Sequence, residues 1–305
     1  MKELLQSPLN YTGGKYKLLP QLLPLFPKNI HTFVDLFCGG GNVGGNVNCN
    51  HVIFNDIETH LISILQIFKN YNKETIFHSI IKIIDQYKLS WSCQNGYSYY
   101  NCNSNKGLGD YNKKGFYQLR EDFNHHQPLD FDHYIMLYVL ILFSFNYQIR
   151  FNNKGAFNLP IGKRDFNLKM QEKLSKFIDR LNQLNCSFKN LDFRSFDINQ
   201  LHANDFVYCD PPYLITCASY NEQGLWDTNA EYDLLDYLDL LDKAHIRFAL
   251  SNVLQSKGKE NKILLNWLNK NPQYTCIPLN YNYANSNYQT KNKDAGSNEV
   301  LIINY

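Results

Sequence analysis

The sequence lacks the features that mark exported, membrane-spanning and metal-stabilised proteins. The segment from Met1 to Gly14 has no apolar core of signal-peptide length, which predicts a cytoplasmic location rather than secretion. The longest apolar run, from Tyr134 to Phe145, covers 12 residues, too few to cross a bilayer, so it predicts a buried helix. The eight cysteines contain no Cys-x-x-Cys pair, which favours free thiols and argues against a zinc site.

Composition is ordinary for a soluble globular protein, with 44% hydrophobic and 19% charged residues among 305. This length predicts one large domain, or one domain with a substantial insertion. The formal net charge of +2 does not by itself indicate a nucleic-acid partner. Residues 146–176, however, hold seven basic and two acidic side chains, which is consistent with a solvated face or with DNA contact. Residues 222–242 hold seven acids and no base, and we expect a solvated helix face formed by acids that include Glu231, Asp233, Asp236 and Asp239.

Hydrophobic patterning predicts an α/β sheet that is interrupted by a second unit. Runs of β-branched and aromatic residues predict strands over 31–37, 51–55, 205–209, 246–250 and 299–303. Helical spacing predicts helices over 59–68, 115–124, 132–145 and 230–243. Residues 92–115 are predicted as a loop, and residues 146–163 as a hairpin that turns at Asn152 to Gly155.

A glycine-rich turn follows the first predicted strand. Three consecutive glycines, Gly39 to Gly41, come after Asp35 and would let a ligand approach the backbone closely. The position calls for a helix over 43–49, although the composition there disfavours one. The next strand ends at Asp56, where an acidic side chain holds ribose hydroxyls in nucleotide-binding folds. The spacing is not Gly-x-Gly-x-x-Gly, which argues against a nicotinamide dehydrogenase.

The strongest signal is the tetrapeptide Asp210-Pro211-Pro212-Tyr213, which directly follows a predicted strand. Two prolines hold the backbone extended and remove two N–H donors, so carbonyls and the Asp210 carboxylate remain as acceptors. This arrangement suits an exocyclic amino group, which has two N–H bonds to donate. Tyr213 offers a flat face on which a base can stack.

These motifs, in this order, resemble the N6-adenine DNA methyltransferases of the Dam type (D12 class, alpha group), which use S-adenosylmethionine. The resemblance covers nearly the whole chain and implies a Rossmann-like methyltransferase sheet. It implies that Tyr11 and Lys15 contact the methionine part of the cofactor, and that Asp192 accepts a hydrogen bond from its adenine. The cofactor-binding set that it implies is Tyr11, Lys15, Asp35, Phe37, Gly39, Gly41, Asp56, Asp192, Phe193 and Asp210. The catalytic set is Asp210, Pro211, Pro212 and Tyr213.

The resemblance also implies an inserted helical target-recognition domain with a β-hairpin. On this basis residues 1–70 and 186–305 form the catalytic domain, and residues 71–185 bind DNA. The hairpin and the basic segment coincide, and the DNA-binding residues implied there are Arg150, Asn152, Asn158, Pro160 and Lys163. The expected partner is double-stranded DNA, with a restriction endonuclease acting separately, and the expected state is a monomer.

The implied reaction is methyl transfer to N6 of an adenine that is flipped out of the duplex. The favoured recognition site is GATC, with CATG second. Two alternatives stay open: an N4-cytosine or RNA methyltransferase, and an inactive DNA-binding regulator with the same fold. The Asp before Pro-Pro argues against N4-cytosine, the hairpin insertion argues against RNA, and the intact tetrapeptide argues against an inactive regulator.

Overall fold

The computed structural model describes residues 3–11, 13–216, 226–280 and 298–305. Thr12 of the N-terminal segment, and Cys217 and Glu222 of the residue counts above, lie outside the described residues. The chain divides into two compact units. The helical unit comprises Met1–Tyr16, Gly39–Gly45 and Glu58–Leu184, and the sheet unit comprises Lys17–Cys38, Asn46–Ile57 and Asn185–Tyr305.

The sheet unit is built on eight strands within the described residues. They are β1 Ile30–Asp35, β2 Cys49–Asn55, β3 Cys186–Lys189, β4 Phe206–Cys209, β5 Arg247–Ser256, β6 Lys259–Glu260, β7 Thr275–Leu279 and β8 Asn298–Ile303. The order across the sheet is β3-β2-β1-β4-β5-β8-β7, and the short β6 pairs with β5. The first five strands of this order are parallel, and β8 runs antiparallel to both of its neighbours.

This topology confirms the predicted α/β fold with a Rossmann-like sheet. The strand order reverses at β1, which lies between β2 and β4. In open parallel sheets, ligands bind beyond the carboxyl ends of the strands at such a reversal. The residues of β4, Phe206 to Cys209, are all buried, as expected for a parallel strand that is covered on both faces.

The α-helices are α1 Leu19–Leu22, α2 Thr59–Asn70, α3 Lys73–Gln86, α4 Ser92–Tyr99, α5 Gly109–His125, α6 Phe131–Phe143, α7 Leu168–Gln183, α8 Thr228–Lys243 and α9 Lys262–Lys270. In the helical unit, α6 packs against α2, α3 and α5. Its residues from His133 to Phe143 are all buried, which confirms the predicted buried helix up to Phe143, whereas Phe145 lies beyond the helix and is exposed. None of the helices in the described residues is long and apolar enough to cross a membrane.

The prediction of a loop over 92–115 is confirmed only for residues 100–108 and is wrong on both sides of them. Helix α4 occupies 92–99 despite its poor composition, and it bends at Gly96, whose φ of 73° is left-handed. Helix α5 begins at Gly109, six residues before the predicted start. The polar Asn112 in that first turn is fully buried, because its side chain exchanges hydrogen bonds with Ser90. Tertiary contacts therefore stabilise helices that local propensity disfavours.

The predicted hairpin over 146–163 forms only in part. The two arms meet at isolated antiparallel bridges, Ser144 with Ile161 and Phe151 with Phe157, and no continuous ladder joins them. The turn lies where it was predicted, because the Gly155 N–H donates to the Asn152 carbonyl at 2.8 Å. Residues 39–46 form turns, and no helix forms over 43–49, where the position in the fold called for one. The glycine-rich composition, which disfavours a helix, agrees with this result.

The acidic segment is less solvated than predicted. Asp233 and Asp236 are exposed on α8, but Glu231 is only 1% exposed. The Glu231 carboxylate accepts hydrogen bonds from Trp226 and Asn261, which offset the cost of burying it. Pattern analysis missed β3, β7, α3, α7 and α9.

Candidate functional site

Three carboxylates lie at the carboxyl edge of the sheet, on both sides of the topological reversal. Asp35 ends β1, Asp56 follows β2 and Asp210 follows β4. The register pairs Asp35 with Phe54 on one side and with Tyr208 on the other, so the three strand ends are adjacent. Asp35 and Asp56 are 1% and 7% exposed, and Asp210 is half-buried. The structure thus brings together predicted site residues that are far apart in the sequence.

The buried thiols of Cys38 and Cys209 lie near these carboxylates, which affect the pKa of both. Burial raises the pKa of the Cys38 thiol well above its usual value, and the carboxylates of Asp56 and Asp35 raise it further. Burial also raises the pKa of the Cys209 thiol, with smaller contributions from Asp35 and Asp210. Burial and the neighbouring carboxylates therefore both favour the protonated form of the two thiols.

Two asparagines fix the loops that leave the edge. The Asn55 amide donates to the carbonyls of Leu36 and Leu191 at 2.9 and 3.0 Å, and its oxygen accepts from the Leu191 N–H. The Asn190 amide donates to the carbonyls of Asp56 and Ile57. These bonds connect the segments after β1, β2 and β3. Sequence reasoning gave neither asparagine a role, although each directly precedes or lies within a motif that it singled out.

An aromatic cluster of Phe37, Phe193 and Trp226 lies in the same unit, with ring centroids 5.5 to 5.8 Å apart. Phe37 and Phe193 are predicted cofactor residues that the fold brings into contact, and Trp226 was missed. Asp192, the predicted partner of the cofactor adenine, accepts from the Arg194 N–H and forms a 2.9 Å ion pair with its guanidinium. Any ligand bond to Asp192 must share its carboxylate with Arg194.

The tetrapeptide after β4 is tied to a residue that sequence reasoning did not select. The Tyr213 hydroxyl lies 3.2 Å from Asp210 Oδ1 and 3.0 Å from Glu299 Oε1, and the two carboxylates share its single hydrogen. Pro211 is buried, while Pro212 and Tyr213 are half-buried. Glu299 is the second residue of β8 and is 1% exposed. Its signal in the sequence is an acid within an otherwise apolar strand.

The helical unit carries the predicted cofactor residues Tyr11 and Lys15 and the glycine-rich turn. A Cβ added to Gly39 would lie 2.9 Å from the Tyr11 ring, and one added to Gly40 would lie 2.7 Å from the Leu9 carbonyl oxygen. Gly39 and Gly41 have φ values of +49° and +75°, which also favour glycine. Lys15 is buried, and its Nζ donates to the Gly13 carbonyl at 3.1 Å. Close packing thus accounts for Gly39 and Gly40, and the left-handed backbone accounts for Gly41.

The predicted DNA-binding residues occupy the partial hairpin of the helical unit. Arg150 is half-buried, and its Nε donates to Asn158 Oδ1 at 2.8 Å. Asn152 accepts from the N–H groups of Lys154 and Ala156, so its side chain stabilises the turn. The ends of the segment are also anchored through backbone bonds. The exposed Pro160 accepts from Phe145, and the exposed Lys163 accepts from Leu108.

Comparisons with known proteins agree with these features. The model of the D12 class N6 adenine-specific DNA methyltransferase family matches residues 11–285. The chain is 42% identical to Modification methylase StsI of Streptococcus sanguinis, over all of this chain and 43% of that protein. It is 43% identical to Type II methyltransferase M.FokI of Planomicrobium okeanokoites, over 99% of this chain and 43% of that protein. It is 27% identical to DNA adenine methylase of Escherichia coli (strain K12), over 80% of this chain and 79% of that protein. The chain thus spans less than half the length of the first two relatives.

Proposed function

The chain belongs to the D12 class N6 adenine-specific DNA methyltransferase family, and on that premise we propose that it methylates N6 of adenine in a short duplex site. S-adenosylmethionine is the proposed methyl donor. The observation that carries the proposal is the tetrapeptide Asp210 to Tyr213 at the topological reversal, beside the carboxylates of Asp35 and Asp56. The geometry of this sheet edge suits nucleotide-containing ligands in general. Family membership favours adenine methylation among the reactions that such a site could support.

Asp210 and the Pro211 carbonyl are the proposed acceptors for the two N6 hydrogens of the target adenine. Accepting both hydrogens draws the amino nitrogen out of conjugation with the ring and frees its lone pair for in-line attack on the methyl group. Tyr213 stacks on the adenine, which offsets part of the few kcal/mol that turning a base out of the duplex costs. Positioning and electrostatics then supply most of the rate enhancement.

The residues at the edge fit S-adenosylmethionine. Its sulfonium supplies an electrophilic methyl group and carries a positive charge, which suits an edge that holds the carboxylates of Asp35, Asp56 and Asp210. Asp56 is the proposed ribose ligand and Asp192 the proposed adenine ligand, beside the aromatic cluster of Phe37, Phe193 and Trp226. In the helical unit, Tyr11 and Lys15 are proposed to hold the methionine part, and Gly39 to Gly41 to admit it close to the backbone.

Residues 71–185 are the proposed target-recognition domain, and residues 1–70 with 186–305 the catalytic domain. Arg150 is the proposed base-reading residue, and Asn152, Asn158, Pro160 and Lys163 are proposed to contact or shape the DNA interface. A short adenine-containing palindrome is the proposed target, GATC first and CATG second. The names of two relatives, which are a modification methylase and a Type II methyltransferase, favour an enzyme that is paired with a separate restriction endonuclease. We further propose that the chain acts as a monomer in the cytoplasm.

The central test compares Asp210→Ala with the wild-type chain. We expect methyl transfer to duplex DNA to be abolished in the variant while affinity for S-adenosylmethionine, measured by calorimetry, stays within about threefold, because the nine other residues of the implied cofactor-binding set remain in place. The modified base is identified by mass spectrometry of nucleosides, which separates N6-methyladenine from N4-methylcytosine, and a duplex RNA substrate tests the RNA alternative. Asp205→Asn is the control, since Asp205 is a buried carboxylate at the opposite edge of the sheet. Normal turnover by Asp210→Ala would refute the catalytic assignment.

A further inference from the structure

Glu299 is a buried carboxylate on a strand that is paired on both sides, where burying its charge costs free energy. It lies on β8, whose backbone pairs with β5 at Val253 and with β7 at Leu279. The four residues after it, Val300 to Ile303, are buried and apolar. A carboxylate in this setting loses most of its hydration, and an apolar residue would pack there at lower cost. A buried acid on an apolar strand calls for an explanation beyond the stability of the sheet.

The contacts of Glu299 lead directly to the tetrapeptide. Its Oε1 lies 3.0 Å from the Tyr213 hydroxyl, which lies 3.2 Å from Asp210 Oδ1 on its other side. A phenol has one hydrogen to donate, so the two carboxylates share it. The hydroxyl is at the far end of the ring, and holding it there restrains the long axis of the Tyr213 side chain. The loop after β4 is thereby fixed to a strand that lies two positions away in the sheet.

We propose that Glu299 is a positioning residue for methyl transfer, acting through the Tyr213 hydroxyl on both the stacking ring and the Asp210 carboxylate. Glu299 anchors the hydroxyl, and the hydroxyl holds Asp210 at Oδ1, which keeps the carboxylate in the orientation needed to accept from the target amino group. This role rests on the proposed adenine methylation. It adds a residue from β8, outside the tetrapeptide, to the groups that determine turnover.

If Glu299 acts through the Tyr213 hydroxyl, the effects of substituting these two residues on kcat should be coupled. Glu299→Ala removes the acceptor and should lower kcat about three- to tenfold, the loss expected for one hydrogen bond that orients a reacting group. Glu299→Gln keeps an acceptor oxygen at the same place and should stay within about twofold of wild type. Tyr213→Phe keeps the ring and removes the hydroxyl, so it should lower kcat as much as Glu299→Ala does. In the Tyr213→Phe background, Glu299→Ala should cause no further loss, because the path of its action is already broken.

The experiment measures kcat and KM for both substrates across these single and double variants of the 305-residue chain, with thermal unfolding of each. Fluorescence of 2-aminopurine at the target position provides a second readout, because stacking on Tyr213 changes it whether or not methyl transfer occurs. Asp205→Asn is the matched acid-to-amide control for Glu299→Gln. It should leave kcat and the fluorescence unchanged.

Non-additive losses in kcat, an unchanged KM for S-adenosylmethionine and rescue by Glu299→Gln support the proposal. Additive losses in the double variant would overturn it, because Glu299 would then act independently of the hydroxyl. A loss that appears only as a lower unfolding temperature, with kcat intact, would also overturn it and leave Glu299 as a structural residue. A wild-type chain that methylates no adenine would refute the proposed function itself, and the fluorescence response would still report whether Glu299 orders Tyr213.

Discussion

Arg150 offers the sharpest test of how the chain would read a DNA sequence. Its guanidinium is held to Asn158 by two bonds, from Nε to Oδ1 at 2.8 Å and from Nη2 to the carbonyl at 3.4 Å. These use two of the five N–H groups, so the Nη1–Nη2 edge retains the fork that guanine O6 and N7 accept. Losing such a contact in Arg150→Ala should cost about 1–3 kcal/mol at one base pair, or about 5- to 150-fold in discrimination there.

The hydrogen bonds between Arg150 and Asn158 allow a second, milder substitution that leaves the arginine itself in place. Asn158→Ala removes the acceptor of Nε but leaves the carbonyl and the arginine in place. The arginine must then be ordered on binding, which costs about 0.5–1.5 kcal/mol for such a side chain. We therefore expect Asn158→Ala to weaken cognate binding by about 2- to 12-fold while preserving which base pair is preferred.

The assay measures methylation of the cognate duplex and of every single-base variant at two salt concentrations, for the wild type, both variants and Lys154→Ala. Lys154 is the matched control, because it is an exposed cation in the same turn. If Arg150 contacts only phosphate, its loss weakens all sequences alike and lowers the salt slope by about one. That uniform pattern would refute base reading by Arg150.

Three further outcomes test other parts of the molecule. Asp56→Ala should weaken S-adenosylmethionine binding by about 1–3 kcal/mol in calorimetry, with turnover partly restored at saturating cofactor, and unchanged affinity would contradict the ribose assignment. Gly40→Ala should destabilise the chain by about 1–3 kcal/mol in urea, because its Cβ would lie 2.7 Å from the Leu9 carbonyl oxygen, and wild-type stability would show that the turn yields. Burial lowers the pKa of His133 to about 4, with two neighbouring histidines adding to the effect. The unfolded chain then binds the extra proton between pH 6.5 and 4, so stability is full above 6.5 and falls by up to about 3 kcal/mol toward pH 4; His133→Leu should flatten this profile.

Patterning predicted the parts of the fold in which local and tertiary preferences agree. The strands that carry Asp35, Asp56 and Asp210 are short apolar runs that end in an acid, and the parallel order places those ends together. The missed helix α4 and the early start of α5 have polar, glycine-containing sequences. Their stability comes from contacts such as the exchange between Asn112 and Ser90, 22 residues apart, which no local window contains.

The site was predictable where a motif carries it and hidden where distant chain segments supply it. The tetrapeptide identifies Asp210 and Tyr213 directly, and adjacent motif residues follow. Trp226 lies in a segment with no motif of its own. Glu299 lies in a predicted strand to which no site role was assigned, and only the sheet order brings it to the Tyr213 hydroxyl. Glu231 was assigned to a solvated face because helical periodicity alone cannot show that Asn261 and Trp226 bind its carboxylate.

The discontinuity of the sheet unit sets the order in which the chain can fold during synthesis. The stretch Glu58–Leu184 is complete before β3, β4 and β5 have been made, so the helical unit can form while β1 and β2 still lack most of their neighbours. At about 5–20 residues per second, translation of the 174 residues from the end of β1 at Asp35 to the end of β4 at Cys209 takes roughly 10–35 seconds. During that interval the edge of β1 that later pairs with β4 is open to pairing with other chains. Because β8 also carries Glu299, the Tyr213 hydroxyl meets this acceptor only when the last described strand of the sheet has been added.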